Sequence, residues 1–299
     1  LIPTFVRDGH ARAVKQSLEQ LGHDVELFFA RHIPEKQQNS IHFSPAEESD
    51  AKILTDGQAL PSCDIIWFRR PGFATIVDDL HPEDKPVAEA EFKEFTHGIW
   101  NTMGPQAWWV NPFAGSIAAN NKSLQLRLAK ANGLTIPETL ISNCADDIRA
   151  FAKVHQKNGI IYKPFLPANW GVEEGARAST GTALIQQGDL EDDFALTRCP
   201  GIYQPLIAKA YELRVTMFGH HGVAVKIDSQ SSKRGRVDWR RELHDDMKVS
   251  PMELSDDIRD KCAQLMKLYL DASILSSRHM EMSFSLRLTQ WGSFCGLNI

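Results

Sequence analysis

Four ionisable residues stand two apart on neighbouring segments, Glu212 and Arg214, then Lys226 and Asp228. They belong to the stretch from Ile202 to Gln230. The spacing predicts a short strand, a connection and then a hairpin turning at Gly219, His220, His221 and Gly222. Leu213, Val215 and Met217 alternate with Glu212, Arg214 and Thr216, and Val223, Val225 and Ile227 alternate with Ala224, Lys226 and Asp228. A three- or five-residue turn would put all four charged residues on one face. A two- or four-residue turn would put Arg214 with Ile227, so a three- or five-residue turn is expected. Two cations and two acids on one face suit a phosphate or carboxylate site. Arginine grips such groups bidentately, and lysine acts as a point charge. The plainer alternative is a solvated face with cross-strand ion pairs.

Other residues fit the same chemistry. Gly159-Ile-Ile-Tyr162-Lys163-Pro164 reads as a strand ending in a lysine whose apolar neighbours demand a partner for it. Tyr203-Gln204-Pro205-Leu206-Ile207 offers apolar walls around one polar side chain, a composition typical of a ligand pocket. Ser231 to Arg241 holds Lys233, Arg234, Arg236, Asp238, Trp239, Arg240 and Arg241, either a basic surface loop or an anion trap. Asn169 to Thr182 is small and polar, suiting a loop that closes over a triphosphate or a plain surface loop. No P-loop or Gly-x-Gly-x-x-Gly pattern occurs, which weighs against those nucleotide folds.

In order along the chain, Gln204-Pro-Leu-Ile, Lys209, Glu212-Leu-Arg214-Val, Lys226-Ile-Asp-Ser-Gln and Asp238-Trp239-Arg240 resemble the ATP-grasp superfamily. Within it they resemble the graspetide or microviridin-type ligases that mature ribosomal peptides, relatives of the ligases that add glutamate to a ribosomal protein. The resemblance covers nearly the whole chain. It implies a mixed α/β and α+β protein. A parallel α/β pre-ATP-grasp domain over 1–115 would precede a two-subdomain ATP-grasp fold over 116–299. The subdomains would span 116–200 and 201–271, with an aberrant tail over 272–299 that leaves the fold incomplete at its C-terminal strands. It further implies that Lys122 and Lys163 meet the phosphates of ATP, that Gln204 reads adenine, and that Lys209 and Glu212 lie near the ribose. Arg214 and Arg240, supported by Lys226, would hold the transferring phosphoryl group or acyl-phosphate.

The elements that must position these residues follow the hydrophobic pattern. Strands are expected at Leu1–Val6, Asp24–Phe29, Cys63–Arg69 and Trp108–Val110, with helices at Arg12–Leu21 and Pro86–Met103, a parallel α/β layer. Gln37 to Leu60 is Ser- and acid-rich and reads as a long surface loop. Trp67, Arg69 and Arg70 end a strand, where ligands bind in such sheets, though structural ion pairs serve these arginines equally well. Helices follow at Ile117–Asn132, Asp146–His155 and Ser255–Leu270, the first carrying Lys122. Leu134-Thr-Ile-Pro137-Glu-Thr139 leads into a strand.

Composition sets the outer limits. The 299 residues suffice for two or three small domains, and 42% hydrophobic with 24% charged content is ordinary for a soluble globular chain. A net charge of -5 argues against a general nucleic-acid binder. No signal peptide or membrane span is visible, so a cytoplasmic protein is expected. Cys63, Cys144, Cys199, Cys262 and Cys295 are odd in number and scattered, and read as buried free thiols in a reducing cytosol. Leu1 is not a start methionine, and the chain opens in what reads as mid-strand.

ATP chemistry needs magnesium, and magnesium needs hard oxygen ligands. The resemblance implies an Asp on one strand and Glu-x-Asn on the next. Instead, no acidic residue follows Glu281, and Asn298 stands alone. Read one base out of phase from the last base of the Asp271 codon, synonymous codons for this tail yield Cys-Phe-Asp-Phe-Ile-Val-Thr-Pro-His-Gly-Asp-Val-Ile-Phe-Leu-Glu-Val-Asn-Pro-Met-Gly-Gln-Phe-Leu-Trp-Ile-Glu-Tyr. That is the missing metal segment in order, and a frameshift near Asp271 is inferred. No metal ligand is therefore assigned in the chain as written, and it is expected to lack the last two strands of the sheet. The implied function is an ATP- and magnesium-dependent carboxylate–amine or carboxylate–hydroxyl ligase acting on a ribosomal peptide through an acyl-phosphate. The alternatives are an amino-acid or dipeptide ligase, or an inactive product that binds nucleotide weakly. Partners would be ATP and a peptide or amino-acid substrate, not nucleic acid or membrane, with a homodimer left open.

Overall fold

The computed structural model describes residues 1–45, 51–76, 79–166, 169–171, 177–231, 235–238, 247–272, 283–289 and 294–298. The chain divides into two compact units. One is Leu1–Ile117 with Leu270–Met282, and the other is Ala118–Tyr269 with Ser283–Ile299.

The first unit runs β1 (Ile2–Pro3), α1 (Gly9–Gln20), β2 (Leu27–Phe28), β3 (Asn39–His42), β4 (Lys52–Thr55), β5 (Gln58–Ala59), β6 (Ile65–Trp67), α2 (Lys85–Thr102) and β7 (Trp108–Val110), and ends within α3 (Phe113–Asn120). β1 pairs with β2 and β6 with β7, both parallel. The Trp67 amide donates to Leu1 O and the Arg69 amide to Pro3 O, which joins the pairs into one parallel order, β2-β1-β6-β7. Phe28, Ile33, Ile66, Ile99 and Trp100 form its core, with Trp100 edge-on to both Phe28 and Phe68. The expected loop over 37–60 is corrected, because β3, β4 and β5 form an antiparallel sheet there. Asp56 and Gly57, at φ 50 and 80, make the two-residue turn between β4 and β5. Asp-Gly favours that turn because both central residues need positive φ.

Asp8 anchors this unit. As N-cap of α1 it accepts from the His10 and Ala11 amides at 3.0 and 3.2 Å and from the Thr4 hydroxyl at 3.0 Å. Arg69 Nε lies 3.3 Å from it, so the ion-pair alternative describes that arginine. Burial by itself would raise the carboxyl's pKa. The Ala11 and His10 amides, Thr4 and Arg69 together outweigh burial and hold it below its ordinary value.

The second unit follows with α4 (Lys122–Ala131), β8 (Leu140–Ser142), α5 (Ala145–Val154), β9 (Ile160–Lys163), the hairpin β10 (Asn169–Gly171) and β11 (Arg177–Ser179), β12 (Ala183–Leu184), α6 (Asp193–Arg198) and β13 (Gly201–Pro205). Then come β14 (Glu212–Phe218), β15 (His221–Ile227), β16 (Val249–Met252), α7 (Asp256–Ala272), β17 (Ser283–Thr289) and β18 (Phe294–Asn298). Two sheets result, ordered β12-β9-β13-β8 and β16-β15-β14-β17-β18. The expected single helix over 117–132 is two helices. Asn121 breaks it by capping α4, its side chain accepting from the Leu124 amide at 2.9 Å.

The tail is a second correction. The sheet does not stop at β14, because β17 pairs antiparallel with β14 along its whole length and β18 pairs with β17. Strand pairing needs only backbone donors and acceptors. The run Ser-Phe-Ser-Leu-Arg-Leu-Thr keeps the period-two alternation a half-buried strand requires.

Asp8→Ala is expected to lower stability by about 1–2 kcal/mol in urea unfolding. Because the folded carboxyl sits below its unfolded value, its contribution is complete above the unfolded pKa. It is lost as pH falls through the folded pKa. Acid titration followed by circular dichroism should therefore show a shallower loss of stability for the variant.

Candidate functional site

β9 and β13 run side by side, pairing Ile202 with Lys163, Tyr203 with Tyr162 and Gln204 with Ile161. Their apolar residues pack towards α5 and α6, where Ile148, Ile160, Leu196 and Tyr203 form a core. Gly201 is needed here because a Cβ would come within 2.5 Å of the Tyr162 ring. The ends of these strands open onto a small cleft. Lys163, Thr182 and Gln204 line it with Ile161, and the segment Pro205-Leu206-Ile207 follows. Lys209, Glu212, Val237 and Asp238 complete it.

The polar groups in the cleft are wired together. Lys163 Nζ donates to Gln204 Oε1 at 2.6 Å, and Gln204 Nε2 donates to the Thr139 hydroxyl at 2.8 Å. Gln204 is only 4% exposed, so both ends of its amide must be satisfied inside the protein, and both are. The same bonds fix which end of the amide faces the lysine. Lys209 Nζ lies 2.5 Å from Glu212 Oε1, with both side chains nearly buried. Asp238, 5% exposed, and Thr182, 6% exposed, add two further buried polar side chains.

The hairpin register differs from the expected one. β14 and β15 pair Glu212 with Ile227, Leu213 with Lys226, Arg214 with Val225 and Phe218 with His221, leaving a two-residue turn of Gly219 and His220. Gly219 has φ 58, and glycine with positive φ at the first central position is what a type II′ loop asks for. Glu212 and Arg214 therefore share a face with Val225 and Ile227. Lys226 falls on the other face with Leu213, its Nζ 4.7 Å from the Tyr211 ring centre. Asp228 is likewise carried away from Arg214. The physical reason is that the two-residue turn sets small Ala224 against buried Val215 and leaves Val223 on the exposed face, a choice that alternation alone does not make.

Of the residues singled out from sequence, Lys163, Gln204, Lys209 and Glu212 come together in the cleft. Arg214 stands two residues beyond Glu212 on the same face and is exposed. Lys122 is the first residue of α4 and is not among the cleft-lining residues. Arg240 lies outside the described residues, as do Lys233, Arg234 and Trp239. Thr139 and Thr182 received no role from sequence, because a lone threonine carries no spacing signal. Asp238 likewise shows no role by its spacing in the sequence. Among the described residues, no three His, Cys, Asp or Glu side chains gather as a metal site. Among them too, no helix is long and apolar enough to cross a membrane.

No family model and no curated protein matches the chain. Solved structures do. The macrocyclase MdnC bound with precursor peptide MdnA, from Microcystis aeruginosa MRC, is 25% identical, with a TM-score of 0.80 over 99% of this chain and 90% of that one. A RiPP-associated ATP-grasp ligase from Chryseobacterium gregarium, in complex with ADP and a leader and core peptide, is 24% identical, with a TM-score of 0.81 over 99% and 87%. The ATP-grasp ligase PsnB, complexed with minimal precursor, Mg and ADP, is 20% identical, with a TM-score of 0.68 over 99% and 88%. The chain has the mixed α/β architecture of the ATP-grasp fold and resembles graspetide-type ligases along nearly its full length.

The buried pair in the cleft gives a direct test. Lys209→Met strands Glu212 without its cation and is expected to cost about 3–5 kcal/mol. Lys209→Met combined with Glu212→Leu removes both charges and should recover most of that loss in urea unfolding.

Proposed function

We propose that the cleft is an ATP site and that this fold is built for carboxylate–amine or carboxylate–hydroxyl ligation on a ribosomal peptide. We further propose that the chain as written is a weak nucleotide binder without turnover. The observation that carries the first part is the convergence of Lys163, Gln204, Lys209 and Glu212 on one cleft beside Arg214. Lys163 would meet the phosphates. Gln204 holds Lys163 in place, which leaves the adenine edge to the backbone of Pro205-Leu206-Ile207. Lys209 and Glu212 would flank the ribose, and Lys122 would approach the phosphates from α4. Arg214 and Arg240 would stabilise the transferring phosphoryl group, while Lys226, on the opposite face of the sheet against Tyr211, is left out of that role. In the reaction a substrate carboxylate attacks the γ-phosphate, giving an acyl-phosphate and ADP. An amine or alcohol then displaces phosphate. Such chemistry rests on positioning and charge neutralisation. The peptide substrate is supported by the precursor peptides bound to the similar ligases.

The second part rests on register. Magnesium demands several hard oxygen donors. In the cleft Glu212 is held by Lys209, and Asp238 is the other carboxylate. β17 brings Arg287 opposite Arg214 and Thr289 opposite Glu212. A cation and a hydroxyl at those positions do not fit magnesium beside a triphosphate. In the reading shifted by one base, the codon overlapping Arg287 encodes Glu and that overlapping Thr289 encodes Asn. The shifted frame thus returns Glu-x-Asn to the strand beside Glu212 and Arg214.

The test is ADP release with magnesium and a library of candidate peptides. The 299-residue chain is expected to release none above background. The frame-restored chain is expected to release ADP, and Lys163→Met in it should lower nucleotide affinity about tenfold or more. Turnover by the chain as written overturns the inactivity. A restored chain that binds no nucleotide overturns the site.

A further inference from the structure

Two exposed cysteines, Cys144 and Cys199, lie just past the end of the ribbon that carries the cleft's hydrogen-bonded chain. β13 and β8 pair Tyr203 with Leu140, Ile202 with Ile141 and Gly201 with Ser142. Continuing that antiparallel register by two residues sets Cys199 against Cys144. The two segments stay close beyond the last ladder pair, where Asn143 Nδ2 donates to Thr197 O in the last turn of α6 at 3.3 Å, and the Cys199 thiol lies 3.8 Å from Pro200 O. Both cysteines have extended backbones, φ -92 and ψ 115 at Cys144 and φ -139 and ψ 125 at Cys199. Cys144 caps the start of α5 and Cys199 the end of α6, and an Arg149–Asp193 ion pair ties these helices together. Both thiols are free and exposed. This corrects the expectation of buried thiols, which holds for Cys262 alone among the described side chains.

We infer that Cys144 and Cys199 form a reversible dithiol–disulfide pair, oxidised by peroxides. Directly opposed residues of an antiparallel pair have Cα atoms about 4.5–5.5 Å apart, inside the span a disulfide accepts. In the reaction one thiolate attacks a peroxide oxygen and breaks the O–O bond, becoming a sulfenic acid. The second sulfur attacks the first and expels the new oxygen as water. Two thiols lose two hydrogens, and hydrogen peroxide is reduced to two waters. The other described thiols are poorer targets. Cys262 is fully buried, its pKa pushed up to about 12 by burial, and Cys63 is half-buried with its pKa raised chiefly by burial.

The position gives the bond a consequence. The bridge would close a loop containing β9 and Lys163. It would join the strand leading back to Thr139 to the strand leading on to Gln204. This consequence rests on the ATP-site reading; formation of the bond does not.

The full chain, treated with hydrogen peroxide and then blocked with N-ethylmaleimide, is digested without reductant and mapped by mass spectrometry. The expected product is a peptide pair joining Cys144 to Cys199, two hydrogens lighter and released by dithiothreitol. Its formation should raise the thermal midpoint by several degrees. Cys144→Ser and Cys199→Ser should each abolish it. Oxidation that leaves these two cysteines unlinked, as separate sulfinic acids or as bridges to Cys295 or another chain, overturns the inference. That outcome leaves nucleotide binding untouched, and loss of nucleotide binding with the bridge intact condemns only the site reading.

Discussion

The structure of the second unit depends on keeping one ammonium group in place. Lys163 ends a strand among Ile160, Ile161 and Tyr162, where water cannot solvate it fully. The solution is a chain of three side chains from three segments, Lys163 to Gln204 to Thr139. Each member removes one degree of freedom from the next. Threonine orients the amide, and the amide offers its oxygen to the lysine. A cation held this way faces its cleft without first paying rotamer entropy on binding, which is how preorganised sites gain affinity.

The sheet beside it works on the same cleft from the other side. Its outer register is set by a two-residue turn, and that choice places Glu212 and Arg214 over apolar Ile227 and Val225. The same register fixes which residues of β17 stand beside Glu212 and Arg214, so a change of reading frame in that strand alters the chemistry while leaving the pairing possible.

Much of this was legible in the sequence, for identifiable reasons. The alternation in β14 and β15, the lysine closing β9 and the apolar run around Gln204 are local patterns with strong periods. The hairpin register was not legible, because Gly219 and Gly222 offered two turn lengths and the face of β15 set against buried Val215 carries only small Ala224 as an apolar side chain, while the valines stand on the other. The sheet over 39–59 was overlooked when composition outweighed the Asp56-Gly57 turn that announces it. Thr139 and Thr182 became visible only once strands far apart in sequence were paired. The proposed pairing of Cys144 with Cys199 likewise follows only from a register, since the two residues share no spacing motif.

The most direct measurement of the central claim is photo-labelling of the chain with 8-azido-ATP, followed by peptide mapping. If the cation side of the cleft survives in this chain, the label should fall on the peptides spanning 160–163 and 201–209, and excess ATP should suppress it. Label spread over other surfaces, or label in the cleft that ATP does not displace, would contradict the claim that Lys163 and Gln204 form a nucleotide site.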